Sequence, residues 1–140
     1  MYTAILLFLP AQAAMPVLPE GFQALYNLDY DRAIALFEAA VKASPEDPER
    51  WNHLGQALLH RALFRGGAFD SDIFTMNESF LKRPAVPMPP AEEKRFIEAI
   101  STSLRLTEKR LRKDPRDRTA LYAEGVAYAH RAQYFLLVKK

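Results

Sequence analysis

Three histidines come nearest, by type and spacing, to a catalytic or metal-binding set in this chain. His53 and His60 are seven residues apart, which places both on the same broad face of a helix. His130 repeats His60 inside a duplicated eight-residue pattern. A zinc site would need a further ligand with supporting carboxylates, and the chain has no HExxH motif or comparable spacing. We therefore interpret His53 as a partly buried structural residue, and the repeated His60 and His130 as packing or groove positions.

Other motifs that could support chemistry are incomplete. Asp70-Ser71-Asp72 is similar to the start of a calcium-binding loop, but Phe74, Met76 and a missing glycine break the pattern. The chain has no Gly-rich phosphate loop and no cysteine, which excludes a thiolate metal site, a disulfide and a cysteine nucleophile. The sequence therefore predicts a protein that is not an enzyme and that holds neither a metal nor a cofactor.

The composition is that of one soluble globular domain. Hydrophobic residues make up 49% of the 140 residues and charged residues 26%. A formal net charge of +2 is too small to indicate nucleic-acid binding by itself. No apolar run reaches the roughly 20 residues that a membrane-spanning helix needs. We therefore expect no nucleic-acid partner and no membrane span in the mature chain.

A helical pattern begins at Gly21. Residues 27–29 are the expected turn between two helices, and Asp29 is placed to cap the second of them. Pro45 cannot continue that helix, so residues 44–48 are the expected linker to the next one. The stripe of small and apolar residues that predicts this helix pair consists of Gly21, Leu25, Leu28, Ala33, Ile34, Phe37 and Val41.

A duplicated motif lies further along the chain. Residues 55–62 and residues 125–132 both read G-x-A-x-x-H-R-A, so the first copy begins at Gly55 and the second at Gly125. A helix is predicted from about Pro90 to Lys113, immediately before the second copy. The order of helices is therefore kept, and residues 65–89, which contain Gly66-Gly67 and a cluster of prolines, are interpreted as an insertion.

The boundary between the first two helix pairs carries a known pattern. Ala33, Phe37 and Pro45 have A-x3-F…P spacing, and residues 51–55 continue with W-x2-L-G. Gly21 and Gly55 occupy equivalent positions in successive helix pairs, so the interval between them gives the length of one repeat. With this pattern the chain resembles the tetratricopeptide-repeat (TPR) family, in which one repeat has about 34 residues. Residues 19–64 resemble one and a half repeats, and residues 91–135 resemble a further, diverged helix pair.

The resemblance implies an all-α fold in which antiparallel helix pairs stack as a short solenoid over residues 14–140. The irregular insertion at about 65–89 interrupts this stack. Small residues are expected where helices approach closely, at Ala33, Ala40, Gly55 and Gly125, and large residues are expected to fill the space between helices, at Phe37, Trp51, Leu58 and Tyr128.

Members of this family use the first helix of each pair to line a concave groove that binds a peptide or a partner helix. The resemblance therefore implies a protein or peptide partner and a non-catalytic role, either in binding or in holding an assembly together. Versions that grip a C-terminal carboxylate use paired Lys and Asn, and this chain has no Lys on these faces. The residues expected to face the groove are Asn52, Gln56, Leu59, His60, Thr119, Tyr122, Val126, Ala129 and His130.

A basic run between residues 105 and 118 gives the alternative function. Seven Lys or Arg occur there against three acidic residues, and such a surface could bind anionic lipid or nucleic acid. The run has no interleaved aromatic residues, and Leu104 and Leu111 occupy the other face of the same helix. A solvated outer face is the favoured interpretation.

Residues 1–13 are similar to a secretory signal peptide. Tyr2 to Leu9 is apolar, Pro10 breaks the run, and Ala11-Gln12-Ala13 supplies an A-x-A cleavage site, although no Lys or Arg precedes the apolar run. We expect cleavage after Ala13 and an exported, periplasmic or extracellular protein of a bacterium. A buried first helix of a cytoplasmic protein is the alternative.

The last seven residues, Tyr134 to Lys140, are mostly apolar and end without a cap. A repeat array needs a polar terminal surface for solubility. This end is therefore expected to pack into the array or against a second copy, or to continue into a longer protein of which the chain is a piece.

Overall fold

A computed structural model describes residues 19–69, 82 and 84–140, and this part of the chain contains helices and no strands. The predicted all-α fold of packed helix pairs is confirmed. The helices are α1 (Glu20–Tyr26), α2 (Tyr30–Ala43), α3 (Pro48–Arg65), α4 (Pro90–Lys113) and α5 (Arg118–Tyr134), and a π-helical turn, Phe135–Lys139, continues α5.

Aspartates begin three of these helices. The side chains of Asp29, Asp47 and Asp117 accept backbone N–H groups of the first turns of α2, α3 and α5 at 3.4, 3.0 and 3.0 Å. Each carboxylate satisfies a donor that the helix itself leaves unpaired. The turn between α1 and α2 is tight, and Leu28 adopts a φ of 63° there. The predicted turn at residues 27–29 and the cap at Asp29 are therefore confirmed.

The helices pack in sequence order, and α3 lies at the centre of the stack. α2 packs on α1 and α3, α4 packs on α3, and α5 packs on both α3 and α4. Two glycines allow the close approach within a pair. A β-carbon on Gly21 would lie 2.6 Å from the ring of Phe37, and one on Gly55 would lie 2.6 Å from Cδ1 of Ile100. Their replacement by larger residues would push α1 from α2, and α3 from α4.

A buried carboxylate ties α4 to the first helices. Glu92, in the first turn of α4, has only 7% of its side chain exposed. It accepts hydrogen bonds from Nε of Arg61 at 3.1 Å and from Nη1 of Arg65 at 3.3 Å. Arg61 also pairs with Asp31 of α2. One arginine therefore links three helices across the edge of the stack.

Two of the expected packing positions are not packed. Tyr128 is 53% exposed, and no atom lies within 4 Å of the position of a β-carbon on Gly125. The prediction that Gly125 allows a close helix approach and that Tyr128 fills an interhelical space is therefore wrong. The reason is that no helix of the described residues covers this face of α5.

The described ends of the insertion are irregular, as expected, at residues 66–69 and 84–89, whereas Lys82 between them is helical. Arg65 still belongs to α3, so the irregular stretch begins one residue later than predicted. Val86 is buried beside Gly66, and its N–H donates to the carbonyl oxygen of Leu137 at 2.8 Å. The expected signal segment, the Asp70-Ser71-Asp72 motif and the two insertion phenylalanines after Phe69 lie outside the described residues.

The C-terminal end packs into the stack in part. Tyr134 is buried against Phe96, and its hydroxyl donates to the carboxylate of Glu93. Leu137 and Val138 contact the core, whereas Phe135 and Leu136 are about half exposed, at 53% and 48%. Among the described helices, none is both long enough and apolar enough to cross a membrane.

Candidate functional site

A cleft of about 260 Å³ opens where α1, α3 and α5 lie side by side. Each of these three helices contributes side chains to the cleft. Aspartate caps fix the first residues of α3 and α5, so the register of both walls is set locally. The lining residues are Phe22, Tyr26, Glu49, Asn52, His53, Gln56, Tyr122, Val126 and His130.

Aromatic rings form much of the cleft wall. Phe22 packs edge-on against the His53 ring, with centroids 4.6 Å apart, and also against Phe37 beneath it. Tyr26 and Tyr122 are 65% and 67% exposed, so a bound molecule could reach both rings. Exposed aromatic side chains supply large contact areas at small entropic cost, which suits a binding surface.

The polar groups of the cleft carry one negative charge and no permanent positive charge. Glu49 is the one carboxylate among the nine lining residues, and none of the nine is Lys or Arg. The nine lining residues therefore offer no Lys or Arg to a bound carboxylate.

Asn52 lies at the bottom of the cleft and is almost fully buried, with 2% exposure. Its Nδ2 donates to the carbonyl oxygen of Ala123 at 2.8 Å, and its Oδ1 has no hydrogen-bond partner. Nδ1 of His130 is likewise buried without a partner. Both atoms are buried beneath the cleft surface, so Asn52 and His130 support the cleft wall more than they present polar atoms to its opening.

Five of the residues that were expected to face the groove line this cleft. They come from α3 and α5, and they are Asn52, Gln56, Tyr122, Val126 and His130. That they contact a partner stays a prediction, although their convergence on one concavity is a structural fact.

The remaining expected groove residues lie elsewhere. Leu59 has no exposed surface and belongs to the core, so its expected place in the groove is wrong. The physical reason is that α2, α4 and α5 all pack on α3 and together cover most of its surface. Thr119 and Ala129 are exposed outside the cleft, and His60 lies behind it, between Phe69 and His130.

The histidines form no metal site. The ring centroids of His60 and His130 are 6.4 Å apart, and the two rings meet edge to face. Burial, together with the neighbouring His130, lowers the pKa of His60 to about 4, and burial lowers the pKa of His130 as well. No group of three or more His, Cys, Asp or Glu among the described residues could hold a metal ion.

Four cleft residues were not assigned to the groove from the sequence: Phe22, Tyr26, Glu49 and His53. A signal for two of them was available. Phe22 precedes Gln56, and Tyr26 precedes His60, by the same interval that separates Gly21 from Gly55. The repeat period was applied only to the packing positions. Applied to the expected groove residues of α3 as well, it would have predicted that the equivalent residues of α1 face the same groove.

The basic run is partly neutralised by its own neighbours. Lys109 lies 3.8 Å from Glu46, Arg110 lies 2.8 Å from Asp117, and Arg112 lies 2.6 Å from Glu108. Three of the seven cations are therefore paired with carboxylates of the chain itself. The expected solvated outer face fits this arrangement better than a dedicated anion-binding surface.

Residues 20–73 match the family model of the tetratricopeptide repeat. This part of the chain, residues 20–73, is similar to the tetratricopeptide repeat. The match contains α1, α2 and α3, so the helix pair and the following helix that resembled the repeat in sequence also belong to it. Repeats of this family generally mediate protein–protein interaction. No significant match was found among curated proteins or among solved structures.

Proposed function

We propose that this chain is a non-catalytic interaction module that binds a peptide or a partner helix in the cleft between α1, α3 and α5. The observation that carries the proposal is the convergence of side chains from α1, α3 and α5, which alternate with α2 and α4 along the chain, on one concavity. Its exposed rings, Tyr26 and Tyr122, are the expected main contacts.

The polarity of the cleft defines the kind of peptide. Glu49 favours a basic or neutral ligand over an acidic one, and the lack of Lys and Arg disfavours a free C-terminal carboxylate. The proposed ligand is therefore a segment with aromatic or aliphatic side chains and few acidic ones.

The test is a selection of displayed random peptides on the full chain, followed by calorimetric titration of the selected peptides. The double variant Tyr26→Ala, Tyr122→Ala should weaken their binding by at least about tenfold, because both exposed rings are lost. Tyr128 is a tyrosine of similar exposure on another face of α5, so Tyr128→Ala should leave a cleft-bound peptide unaffected and weaken only a peptide that binds that other face.

Selected peptides that bind the double variant as tightly as the original would refute the cleft as the binding site. A selection that enriches no peptide would instead favour the assembly role, in which the repeats only hold partner subunits together. The free energy of unfolding of each variant should be measured first, so that lost binding is not confused with lost folding.

The alternative proposal is a basic module that binds anionic lipid or nucleic acid through residues 105–118. Arg105, Lys113, Arg116 and Arg118 carry charge on an exposed surface and favour it. Such binding would fall steeply with salt, because each neutralised phosphate releases counterions. Binding to phosphatidylserine vesicles or to duplex DNA that is lost between 50 and 200 mM salt, about the range over which such contacts weaken strongly, would support this alternative.

We also propose that the protein is exported after cleavage following Ala13, with a cytoplasmic location as the alternative. The support is the apolar run from Tyr2 to Leu9 and the A-x-A pattern that follows it. Mass spectrometry of the protein from its producing cells would test this. A mature N-terminus at Ala14 is expected, and an uncleaved chain would refute the proposal.

A further inference from the structure

The two copies of the G-x-A-x-x-H-R-A motif have different surroundings. In α3, the face that contains Gly55 is covered by α4, with Cδ1 of Ile100 at 2.6 Å and Cβ of Ala99 at 3.7 Å from the position of a β-carbon. In α5, the same face contains Gly125 and has nothing within 4 Å. Among the described residues, α4 therefore covers the first copy of the motif, and nothing covers the same face of the second copy.

The open face of α5 is an apolar stripe. Leu121, Tyr128 and Phe135 follow one another at intervals of seven residues and are each about half exposed. Gly125 and Ala132 lie between them, and both are exposed. Large apolar residues at this spacing with small residues between them form the face that a second helix packs against. We call these five residues the α5 stripe.

A charged residue beside the α5 stripe also repeats. Arg61 of the covered copy donates to Glu92, in the first turn of the covering helix, at 3.1 Å. Its counterpart in the second copy is Arg131, which is exposed and lies over the Phe135 ring at 5.8 Å. No carboxylate of the described residues forms an ion pair with Arg131. A helix that covers the α5 stripe as α4 covers α3 would bring an acidic side chain to it.

A second wall is present next to the stripe. A groove of about 340 Å³ lies between α4 and the C-terminal end of α5, and its lining is mainly apolar. Ile97 is 46% exposed there, on the side of α4 that points away from α3, and Phe135 belongs to both the groove and the α5 stripe. A helix on the stripe would therefore rest against α5 and α4 together, which increases the apolar area that it could bury.

We propose that the α5 stripe is a second docking surface, separate from the cleft, and that its partner is an amphipathic helix with the chemistry of α4. That helix has an acidic residue in its first turn, which pairs with Arg131. Seven and eight residues later it has a small residue and a branched aliphatic residue, as Ala99 and Ile100 follow Glu92, and these two pack on Gly125.

The test uses α4 itself as the probe. A fluorescent peptide of residues 90–108 is titrated with the full chain and followed by anisotropy. Saturable one-to-one binding is expected. Gly125→Leu should weaken it by at least about tenfold, because the side chain fills the place of the aliphatic residue. Tyr122→Ala, in the cleft, should leave it unchanged, which separates this proposal from the proposed function.

A charge exchange tests the role of Arg131. Arg131→Glu should weaken binding of the peptide by about threefold to fivefold, as for a partly exposed ion pair. A peptide with Glu92→Arg should then bind the Arg131→Glu variant better than the original chain. Gly125→Leu and Arg131→Glu lie on an open face and should not lower the stability of the chain in urea unfolding, which checks that both variants fold.

Three results would overturn the proposal. One is the absence of saturable binding. Another is that the peptide binds the original chain and the Gly125→Leu variant with equal affinity, which is expected if the peptide only displaces α4 from α3. The third is a dimer of the full chain in analytical ultracentrifugation that Gly125→Leu dissociates, since the stripe would then belong to a second copy and not to a partner helix.

Discussion

The side-chain amide of Asn52 donates to the backbone carbonyl of Ala123 at 2.8 Å, and this buried hydrogen bond joins α3 to α5 across 71 residues of sequence. Both helices contribute side chains to the cleft. The bond therefore holds together two of the three helices that line the candidate binding site. Asn52 was expected on an exposed groove face, and the structure shows instead that it supports the groove from beneath.

Asn52→Asp should destabilise the fold much more than Asn52→Leu. The aspartate places a charge at a site with 2% exposure, and its oxygen faces the Ala123 carbonyl where a donor was. We expect a loss of about 3 kcal/mol for Asp and of about 1 kcal/mol for Leu in the free energy of unfolding by urea at pH 7. Equal losses for the two variants would show that the hydrogen bond is not what matters at this position.

The stability of the fold should decrease as the pH falls from 7.5 to 5. The folded pKa of His60 is lowered to about 4 by burial and by His130, whereas the unfolded value is near 6.5. Between these two pKa values the unfolded chain binds more protons than the folded chain. The stability that the neutral His60 contributes is therefore complete above pH 6.5 and is lost as the pH falls towards 4. For His60 alone we expect a loss of about 2 kcal/mol at pH 5 in urea titrations.

The control for this pH dependence is the double variant His60→Gln, His130→Gln. It removes two of the three histidines whose pKa is lowered by burial and leaves His53. Its stability should change much less between pH 7.5 and pH 5. If the original chain and the double variant lose the same stability over this range, then carboxylates and not the histidine pair cause the effect.

Glu92→Gln should destabilise the stack, whereas Glu108→Gln should not. Glu92 is buried and accepts hydrogen bonds from both Arg61 and Arg65. A neutral glutamine at this position would leave part of the positive charge of the two arginines unpaired. Glu108 makes a pair with Arg112 in which both side chains are 64% exposed. Thermal unfolding should give a loss of about 2 kcal/mol for Glu92→Gln and less than about 0.5 kcal/mol for Glu108→Gln. A similar small effect at both sites would show that the Glu92 pair is dispensable.

Much of the architecture follows from local signals. Asp29, Pro45 and the Pro90 to Lys113 span gave helix boundaries that the structure reproduces, because caps and prolines act within one turn of the chain. The predicted start of the insertion at residue 65 differs from the structure by one residue. Arg65 is the last residue of α3, and Gly66 caps the C-terminal end of this helix.

The errors concern residues whose surroundings depend on distant helices. Leu59 has the periodicity of a groove residue, but helices from both sides of the sequence cover α3, and one helix's pattern does not reveal this. Tyr128 has the pattern of a packed residue, yet no described helix covers it. A single helix's periodicity shows which residues share a face, and only the order of helices in the stack decides whether that face is covered.

The contrast between the two motif copies gives the sharpest stability test. Gly55→Leu and Gly125→Leu make the same chemical change in two helices that share the same eight-residue pattern. A leucine at Gly55 would collide with the buried side chain of Ile100, and its further atoms have no free space between α3 and α4, so we expect a cost of more than about 2 kcal/mol. A leucine at Gly125 meets no atom within 4 Å and removes a helix-interior glycine, which should stabilise the chain by about 0.5–1 kcal/mol. Urea unfolding of both variants should therefore give changes of opposite sign, and a large loss at Gly125 would mean that another part of the chain covers the α5 stripe.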